Sequence, residues 1–147
     1  MFAARFTTPD DPAARLLVAQ LNATLQTLTG DDGSSSYSPE AFDVAKDAFV
    51  VLEREGTAVA CGALRWLENK TWEIKRMYST VPGGGGHLLQ VLEAKAAALG
   101  CEKLVLSTRI VNTQAVQFYL RHGYVEVAPY GKYTQTQGSV CLGKMLT

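Results

Sequence analysis

The chain has 147 residues, of which 47% are apolar and 19% charged, so its composition is that of one folded domain and not of a disordered segment. Its 14 basic and 14 acidic residues cancel, which argues against nucleic acid or an anionic membrane surface as a partner. No apolar run approaches the ~20 residues of a membrane-spanning helix, and no signal peptide is recognisable. We therefore expect a single cytoplasmic domain over residues 1–147.

The N-terminal third predicts a strand followed by two helices. A weakly alternating strand covers 2–8, and a helix runs from an N-cap at Asp10 or Asp11 to about Thr29, with a proline in its first turn. A loop rich in Gly, Asp and Ser follows. The Ser-Pro-Glu sequence after it predicts a second, short helix over 38–46, since it supplies an N-cap, a proline and an acid in the first turn.

The middle of the chain predicts an antiparallel meander of three strands, at 48–52, 57–67 and 72–79, in which Glu-Arg-Glu-Gly forms the first hairpin turn. A glycine run at 83–86 then opens a helix that ends near Gly100.

The C-terminal part continues with a β-rich run at 102–107, so that strand, glycine loop, helix and strand form a crossover between two parallel strands. Two further strands, at 124–128 and 139–146, follow the helix that begins after Asn112. The three cysteines, Cys61, Cys101 and Cys141, are far apart and form no C-x-x-C pair. We interpret them as buried reduced thiols, and we expect no metal site.

The helix that follows Asn112 has both ends marked. Asn112 is a good N-cap, and Gly123 is a good C′ residue for the left-handed turn that ends a helix. Asn112 and Tyr119 are seven residues apart, so they lie on roughly one face about 10 Å apart along the axis. An amide-binding group and a phenol in line suit a long, thin ligand.

The glycine loop, Val-Pro-Gly-Gly-Gly-Gly-His at 81–87, lies between a strand and a helix N-terminus. Free N–H groups and the helix dipole make such a place a candidate phosphate site, although four glycines also suit a plain turn. The loop is no P-loop, because Gly-Lys-Ser/Thr does not follow.

The strand over 72–79 has a carboxylate near its middle. By the period of two, Glu73, Lys75, Met77 and Ser79 share one face. A carboxylate there needs a partner or a function, so Glu73 is either an ion-pair partner, with Lys75 or across the strands, or a general base.

Tyr119 is a candidate general acid, because its phenol stays protonated at neutral pH and can donate a hydrogen bond or a proton. The alternative is an aromatic residue that packs beside Phe118.

Two segments together resemble one family. The pattern Asn-x-x-Ala-x-x-Phe-Tyr-x-x-x-Gly-Tyr over 112–124, and Glu-Ile-Lys-Arg-Met-Tyr over 73–78, are similar to the corresponding motifs of the GCN5-related N-acetyltransferase (GNAT) superfamily. This resemblance implies an α+β fold with a central, mixed, mostly antiparallel seven-stranded sheet, splayed at one parallel pair and flanked by four helices. It also implies that the acyl-CoA arm lies in the cleft where that pair separates.

The resemblance implies an N-acetyltransferase that moves an acetyl group from acetyl-CoA to a primary amine of a small molecule or peptide by direct attack. Tyr119 and Glu73 would be the catalytic residues, Glu73 acting directly or through water. Main-chain groups at Met77 and Ser79 and the side chain of Asn112 would bind the pantetheine arm. The cosubstrate-binding set would be Met77, Tyr78, Ser79, Gly83, Gly84, Gly85, Gly86, His87, Leu88, Asn112 and Tyr119.

The chain also departs from the family pattern. The loop from Ser79 to Leu88 is shorter, by roughly four residues, and Thr80 stands where the family has a basic residue. Two alternatives stay open: a non-catalytic acyl-CoA-binding module and a nucleotide phosphotransferase. A homodimer is possible by resemblance. The acceptor is open among polyamines, aminoglycosides, amino acids and protein lysines, with Asp31 and Asp32 a weak indication of a cationic one.

Overall fold

The computed structural model describes residues 1–135 and 137–146, and its centre is a seven-stranded mixed sheet. The strand order is β1-β2-β3-β4-β5-β7-β6. The strands are β1 (Ala3–Thr7), β2 (Ala48–Arg54), β3 (Thr57–Glu68), β4 (Thr71–Ser79), β5 (Lys103–Arg109), β6 (Val125–Glu126) and β7 (Ser139–Met145). The α-helices are α1 (Pro12–Thr29), α2 (Gly84–Ala98) and α3 (Thr113–Arg121). Three short 3-10 helices cover Ser34–Ser36, Pro39–Ala41 and Gly131–Gln135.

The predicted parallel pair is present, and it separates early. β4 and β5 are paired only from Thr71–Lys103 to Glu73–Val105, while the other neighbouring strands of the sheet are antiparallel. Beyond Glu73 the two strands diverge, so the main-chain groups of β4 on that side are not bonded to β5. The mixed, splayed sheet of the sequence prediction is therefore confirmed.

Hydrophobic packing holds α1 on one face of the sheet and α2 with α3 on the other. Leu17 and Ala14 of α1 pack on Phe49, while Leu88 and Leu92 of α2 pack on the opposite face. All three cysteines are buried and free, as predicted. In the described part of the chain, no helix is long and apolar enough to cross a membrane.

The predicted second helix is much shorter than expected. The segment over 38–46 forms only the 3-10 turn Pro39–Ala41. Two aspartates after it bind main-chain groups: Asp43 accepts from Ala45 N–H at 2.9 Å, and Asp47 accepts from the N–H groups of Asp43 and Trp66. Such local side-chain bonds compete with helix formation, which explains why the helix does not continue.

A β-bulge at Arg76 changes which side chains of β4 share a face. Lys75 pairs with Ala63 and Tyr78 with Cys61, so two residues of β4, Arg76 and Met77, oppose the single residue between those partners on β3. Arg76 has φ = 55°, the left-handed region. An inserted residue reverses the alternation beyond it.

The prediction that Glu73, Lys75, Met77 and Ser79 share a face is therefore half wrong. Glu73 and Lys75 lie on the α1 face, but Met77 packs toward α2, where its sulfur would be 3.1 Å from a Cβ on Gly62. Ser79 also lies on the α2 side, beside Gly84.

Candidate active site

A cleft opens where β4 and β5 diverge. Its cavity measures about 320 Å³ and lies between residues 74–77 of β4, residues 106–109 of β5 and one face of α3 with its N-cap. The C-terminal half of α1 and the loop after it form the remaining wall, together with Lys132 and Tyr133. The cavity is of the size that small-molecule sites have.

α3 brings Asn112 and Tyr119 to this cleft, as their spacing predicted. The Asn112 side chain accepts from the Ala115 N–H at 3.3 Å, so it caps the helix, and Gly123 follows in the left-handed conformation with φ = 91°. Tyr119 packs edge-on against Phe118 and Tyr124, with ring centroids 5.1 Å and 5.6 Å away.

The Tyr119 phenol has the properties of a proton donor. The side chain is buried, with 7% of its surface exposed, and burial raises the pKa of its hydroxyl above the ordinary value of 10.0. No other side chain or carbonyl among the described residues is hydrogen-bonded to that hydroxyl, and it is not buried away from the cavity that Tyr119 lines. The phenol is therefore protonated and available to a ligand.

Glu73 is fully buried and does not line the cavity. One carboxylate oxygen lies 2.5 Å from Nη2 of Arg65, and the other lies 3.2 Å from Nζ of Lys75. The Tyr130 hydroxyl donates to the second oxygen at 2.5 Å. The ion-pair alternative is thus present in the structure, and direct contact between Glu73 and a ligand in the cleft has no open path.

Lys75 connects this buried carboxylate to the cleft wall. Its ammonium donates to the Tyr133 hydroxyl oxygen at 2.7 Å, and both residues line the cavity. Burial lowers the pKa of Lys75 from its ordinary 10.5, while Glu73 opposes that shift. Glu73 therefore fixes the position and charge of a group that does reach the cleft.

The glycine loop forms the N-terminus of α2. Gly83 is the N-cap with φ = 79°, and the N–H groups of Gly85 and Gly86 have no acceptor within the described residues. A Cβ on Gly84 would overlap the Ser79 side chain, and one on Gly85 would lie 3.4 Å from Phe118. The absence of side chains thus lets the main chain of this turn lie against its neighbours with N–H donors free.

Four other residues that were predicted to bind the cosubstrate do not line the cavity. The Tyr78 side chain packs on the α1 face, and Leu88 is fully buried in the core, so either residue would meet a ligand only through its main chain. The Ser79 hydroxyl donates to the Val81 carbonyl at 2.8 Å and so braces the loop. The His87 ring packs on Phe2 at a centroid distance of 5.3 Å.

Several residues at the site have no role in the sequence prediction. Arg76 lies in the Glu-Ile-Lys-Arg-Met-Tyr motif, but only the bulge shows that it faces the cleft. Tyr130, Tyr133 and Lys132 come from the 3-10 helix and the turn before it, more than 50 residues from β4. Two tyrosines beside a glycine and a proline in a loop were the one available signal.

Comparisons with known proteins agree with this geometry. The chain matches the Acetyltransferase (GNAT) family over residues 18–124. An IAA acetyltransferase from Azospirillum brasilense is 34% identical over 103 residues, 67% of this chain and 67% of that protein. A candidate acyl-CoA N-acyltransferase from Klebsiella pneumoniae superposes with a TM-score of 0.83 at 30% identity, covering 100% of this chain and 99% of that one.

The fold is also shared with an N-acetylglutamate synthase from Neisseria gonorrhoeae, solved with coenzyme A and N-acetyl-glutamate. Its TM-score is 0.72 at 20% identity, over 100% of this chain and 35% of that one.

The cleft, together with the glycine loop after β4 that lies outside the cavity lining, fits the chemical parts of acetyl-CoA, which carries a diphosphate, an extended amide arm and a thioester. Free N–H groups at Gly85 and Gly86 suit the diphosphate, and the unpaired edge of β4 beyond Glu73 suits the amides. Tyr119 lies along the same cleft. The chain belongs to the GNAT acetyltransferase family and is an acetyl-CoA-dependent N-acetyltransferase.

Proposed function

We propose that this protein acetylates a primary amine of a small molecule or peptide by direct attack, with Tyr119 as the general acid. The amine nitrogen forms a bond to the acetyl carbonyl carbon, the carbon–sulfur bond breaks, and the thiolate takes the phenol proton. The amine loses its own proton to water in the cleft, and water returns a proton to the Tyr119 phenolate. The observation that carries this proposal is the protonated Tyr119 hydroxyl at the cleft wall, which belongs to a largely buried side chain and is unbonded to other described residues.

We assign acetyl-CoA binding to two walls of the cleft and to the glycine loop that follows β4. The free N–H groups of Gly85 and Gly86 in that loop bind the diphosphate, aided by the dipole of α2. Main-chain groups of β4 from Met77 to Ser79 pair with the pantetheine arm as an added strand would. Asn112 contributes its side-chain amide from the opposite wall, in addition to capping α3. Much of the rate then comes from positioning and from N–H groups that polarise the thioester carbonyl.

Glu73 is proposed as a positioning residue that acts through Lys75 and Tyr130. Its two oxygens already accept from three side chains, so an amine proton would reach it only through one of them or through water. Of the two routes that the sequence left open, the indirect one has the support of this geometry.

A thiol-release assay with acetyl-CoA and panels of amines tests the proposal. Polyamines, aminoglycosides, amino acids and lysine peptides form the panels, and isothermal titration with acetyl-CoA and with ATP accompanies them. We expect acetyl-CoA to bind, ATP not to bind, and at least one amine to release thiol above the background hydrolysis. Tight acetyl-CoA binding with no turnover in any panel would instead favour the non-catalytic acyl-CoA-binding module.

The homodimer and the cytoplasmic location stay predictions. Light scattering behind a sizing column measures the mass of the protein in solution, and cell fractionation measures its location.

A further inference from the structure

Arg76 is a buried cation in the wall of the cleft. Only 8% of its surface is exposed, and the guanidinium extends from the bulge of β4 toward α1. Its Nη2 atom donates to the side-chain carbonyl of Asn22 and, at 3.4 Å, to the main-chain carbonyl of Asp32. Among the residues that the structure describes, no carboxylate lies at ion-pair distance from it.

The guanidinium therefore has unused binding capacity. It carries five N–H donors, and the two bonds at Nη2 leave the Nε–H and both Nη1–H groups. Within residues 1–135 and 137–146, none of these three has a hydrogen-bond acceptor. These unbonded nitrogens are not buried without a partner, since Arg76 lines the cavity, so the guanidinium offers free donors and a positive charge to a molecule bound there.

The backbone at Arg76 adds a second observation. Its φ of 55° is unusual for a residue with a long side chain, and such strained positions are found mainly at ligand sites. The strain turns the side chain onto the α1 face of the sheet, where it meets Asn22 and Gly33. The fold therefore holds Arg76 in an unfavourable backbone conformation, with N–H donors that have no partner among the described residues.

The charges around the cavity are mostly positive. Lys75, Arg109 and Lys132 line it with Arg76, and Asp31 is the one acid that lines it in the described part of the chain. One Asp31 oxygen accepts from the Gly33 N–H at 2.8 Å, so this carboxylate is bound by its own loop. Asp32 likewise accepts from the Ser34 N–H at 2.9 Å. The weak indication of a cationic acceptor from these two residues stays a prediction, and it concerns the amine end of the acceptor.

We infer that Arg76 binds a carboxylate of the acceptor, so that the acceptor is an amino acid or another small amine that carries a carboxylate. This inference rests on the proposed acetyl transfer and specifies its substrate class. Arg76 and Tyr119 line the same cavity of about 320 Å³, so one small molecule can lie with its carboxylate at Arg76 and its amine at the thioester. Guanidinium and carboxylate form strong, charge-assisted hydrogen bonds, which orient the amine.

The test compares matched acceptors in the thiol-release assay. The probes are the common L-amino acids, β-alanine and γ-aminobutyrate, each measured beside its own carboxamide. For the best acid, we expect kcat/KM to exceed that of the carboxamide roughly 10- to 100-fold, since the amide lacks the charge that Arg76 binds.

Three variants assign the preference to Arg76. Arg76→Gln should reduce the acid-to-amide ratio of kcat/KM to roughly 1, and Arg76→Lys should keep part of it. Arg54→Gln removes one exposed positive charge from the far end of β2 and is the control, with the ratio of the wild type. A purely structural Arg76 would lower activity on both probes equally and leave the ratio unchanged.

The possible results distinguish the assignment of a carboxylate-bearing acceptor from the proposed acetyl transfer. Equal or better use of the carboxamides, or turnover only with amines that have no carboxylate, would overturn the inference and leave the acetyl transfer intact. The same holds if acetyl-CoA binds but no carboxylate-bearing amine releases thiol. If the wild-type protein does not bind acetyl-CoA, the proposed function itself fails.

Discussion

Arg76 and Gly33 lie against each other in the wall of the cleft: a Cβ added to Gly33 would stand 2.7 Å from Nη1 of Arg76. Gly33 has φ = 78°, and the loop that it belongs to connects α1 to β2. The absence of a side chain there leaves the guanidinium the room that it occupies, so the loop and the bulge together shape this wall of the cleft.

Gly33→Ala should therefore disturb the site as well as the fold. The left-handed φ costs about 1 kcal/mol of stability once a Cβ is present, and the methyl group displaces the guanidinium. We expect the acceptor KM to rise roughly 10-fold, with the acetyl-CoA affinity unchanged. Gly56→Ala is the matched control, because Gly56 has φ = 79° and open space around its Cβ position. An equal KM in both variants would contradict contact at Arg76.

Glu73→Gln should weaken both the fold and the reaction. The substitution leaves the ammonium of Lys75, 7% exposed, without its carboxylate, which should lower the free energy of unfolding by roughly 3 kcal/mol in urea titrations. We expect kcat to fall while acetyl-CoA binds as before.

Glu102→Gln breaks an ion pair with Lys70 in which both side chains are about 60% exposed, and it should change stability by less than about 0.5 kcal/mol. Equal stability of the Glu73 and Glu102 variants would contradict the structural account of Glu73.

Asp11 should give the stability an acid-dependent component. The Arg5 guanidinium, 2.5 Å away, holds the pKa of this carboxyl well below its ordinary 3.8, with help from the Thr7 hydroxyl. A pKa that is lower in the folded state stabilises the fold above the unfolded pKa, and the stabilisation disappears as the pH falls toward the folded value.

Asp11→Asn should consequently flatten the loss of unfolding free energy between about pH 4 and pH 2. Asp10→Asn, which removes an exposed carboxylate one residue earlier, is the comparison. Urea unfolding at a series of pH values measures both. Identical slopes in Asp11→Asn and the wild type would show that the Arg5–Asp11 pair does not stabilise the fold.

Gly86→Asp should separate helix stability from cosubstrate binding. A negative charge in the first turn of α2 stabilises the helix by interacting with its dipole, but it repels a diphosphate bound at the same N–H groups. We expect a slightly higher melting temperature and a roughly 10-fold weaker acetyl-CoA affinity by titration calorimetry. Gly86→Asn has nearly the same shape without the charge. Equal acetyl-CoA affinities in the two variants would show that the diphosphate does not bind at this loop.

Much of the fold was predictable because its signals are local. The caps of α3 at Asn112 and Gly123, the N-cap of α1 at Asp11 and the hairpin turn before Thr57 each depend on a few neighbouring residues. The positions of Asn112 and Tyr119 on one cleft wall follow from helical spacing alone.

The remainder depends on contacts that a pattern does not contain. The bulge at Arg76 follows no period-two pattern, so the side on which Met77 lies could be read only from the pairing of β3 with β4. The burial of Glu73 under Tyr130 joins residues 57 positions apart. Tertiary packing, and not local propensity, therefore determines that the Glu73 carboxylate is buried behind the cleft wall and does not line the cavity.

The most direct test of the central claim is the turnover of Tyr119→Phe with its acetyl-CoA affinity measured on the same sample. Tyr124→Phe is the matched control, since that buried hydroxyl donates to Glu93 at 2.8 Å and has no assigned part in the reaction. We predict that Tyr119→Phe binds acetyl-CoA as the wild type does but loses turnover by roughly 100-fold or more, while Tyr124→Phe keeps its turnover. Undiminished turnover in Tyr119→Phe would contradict the assignment of the general acid.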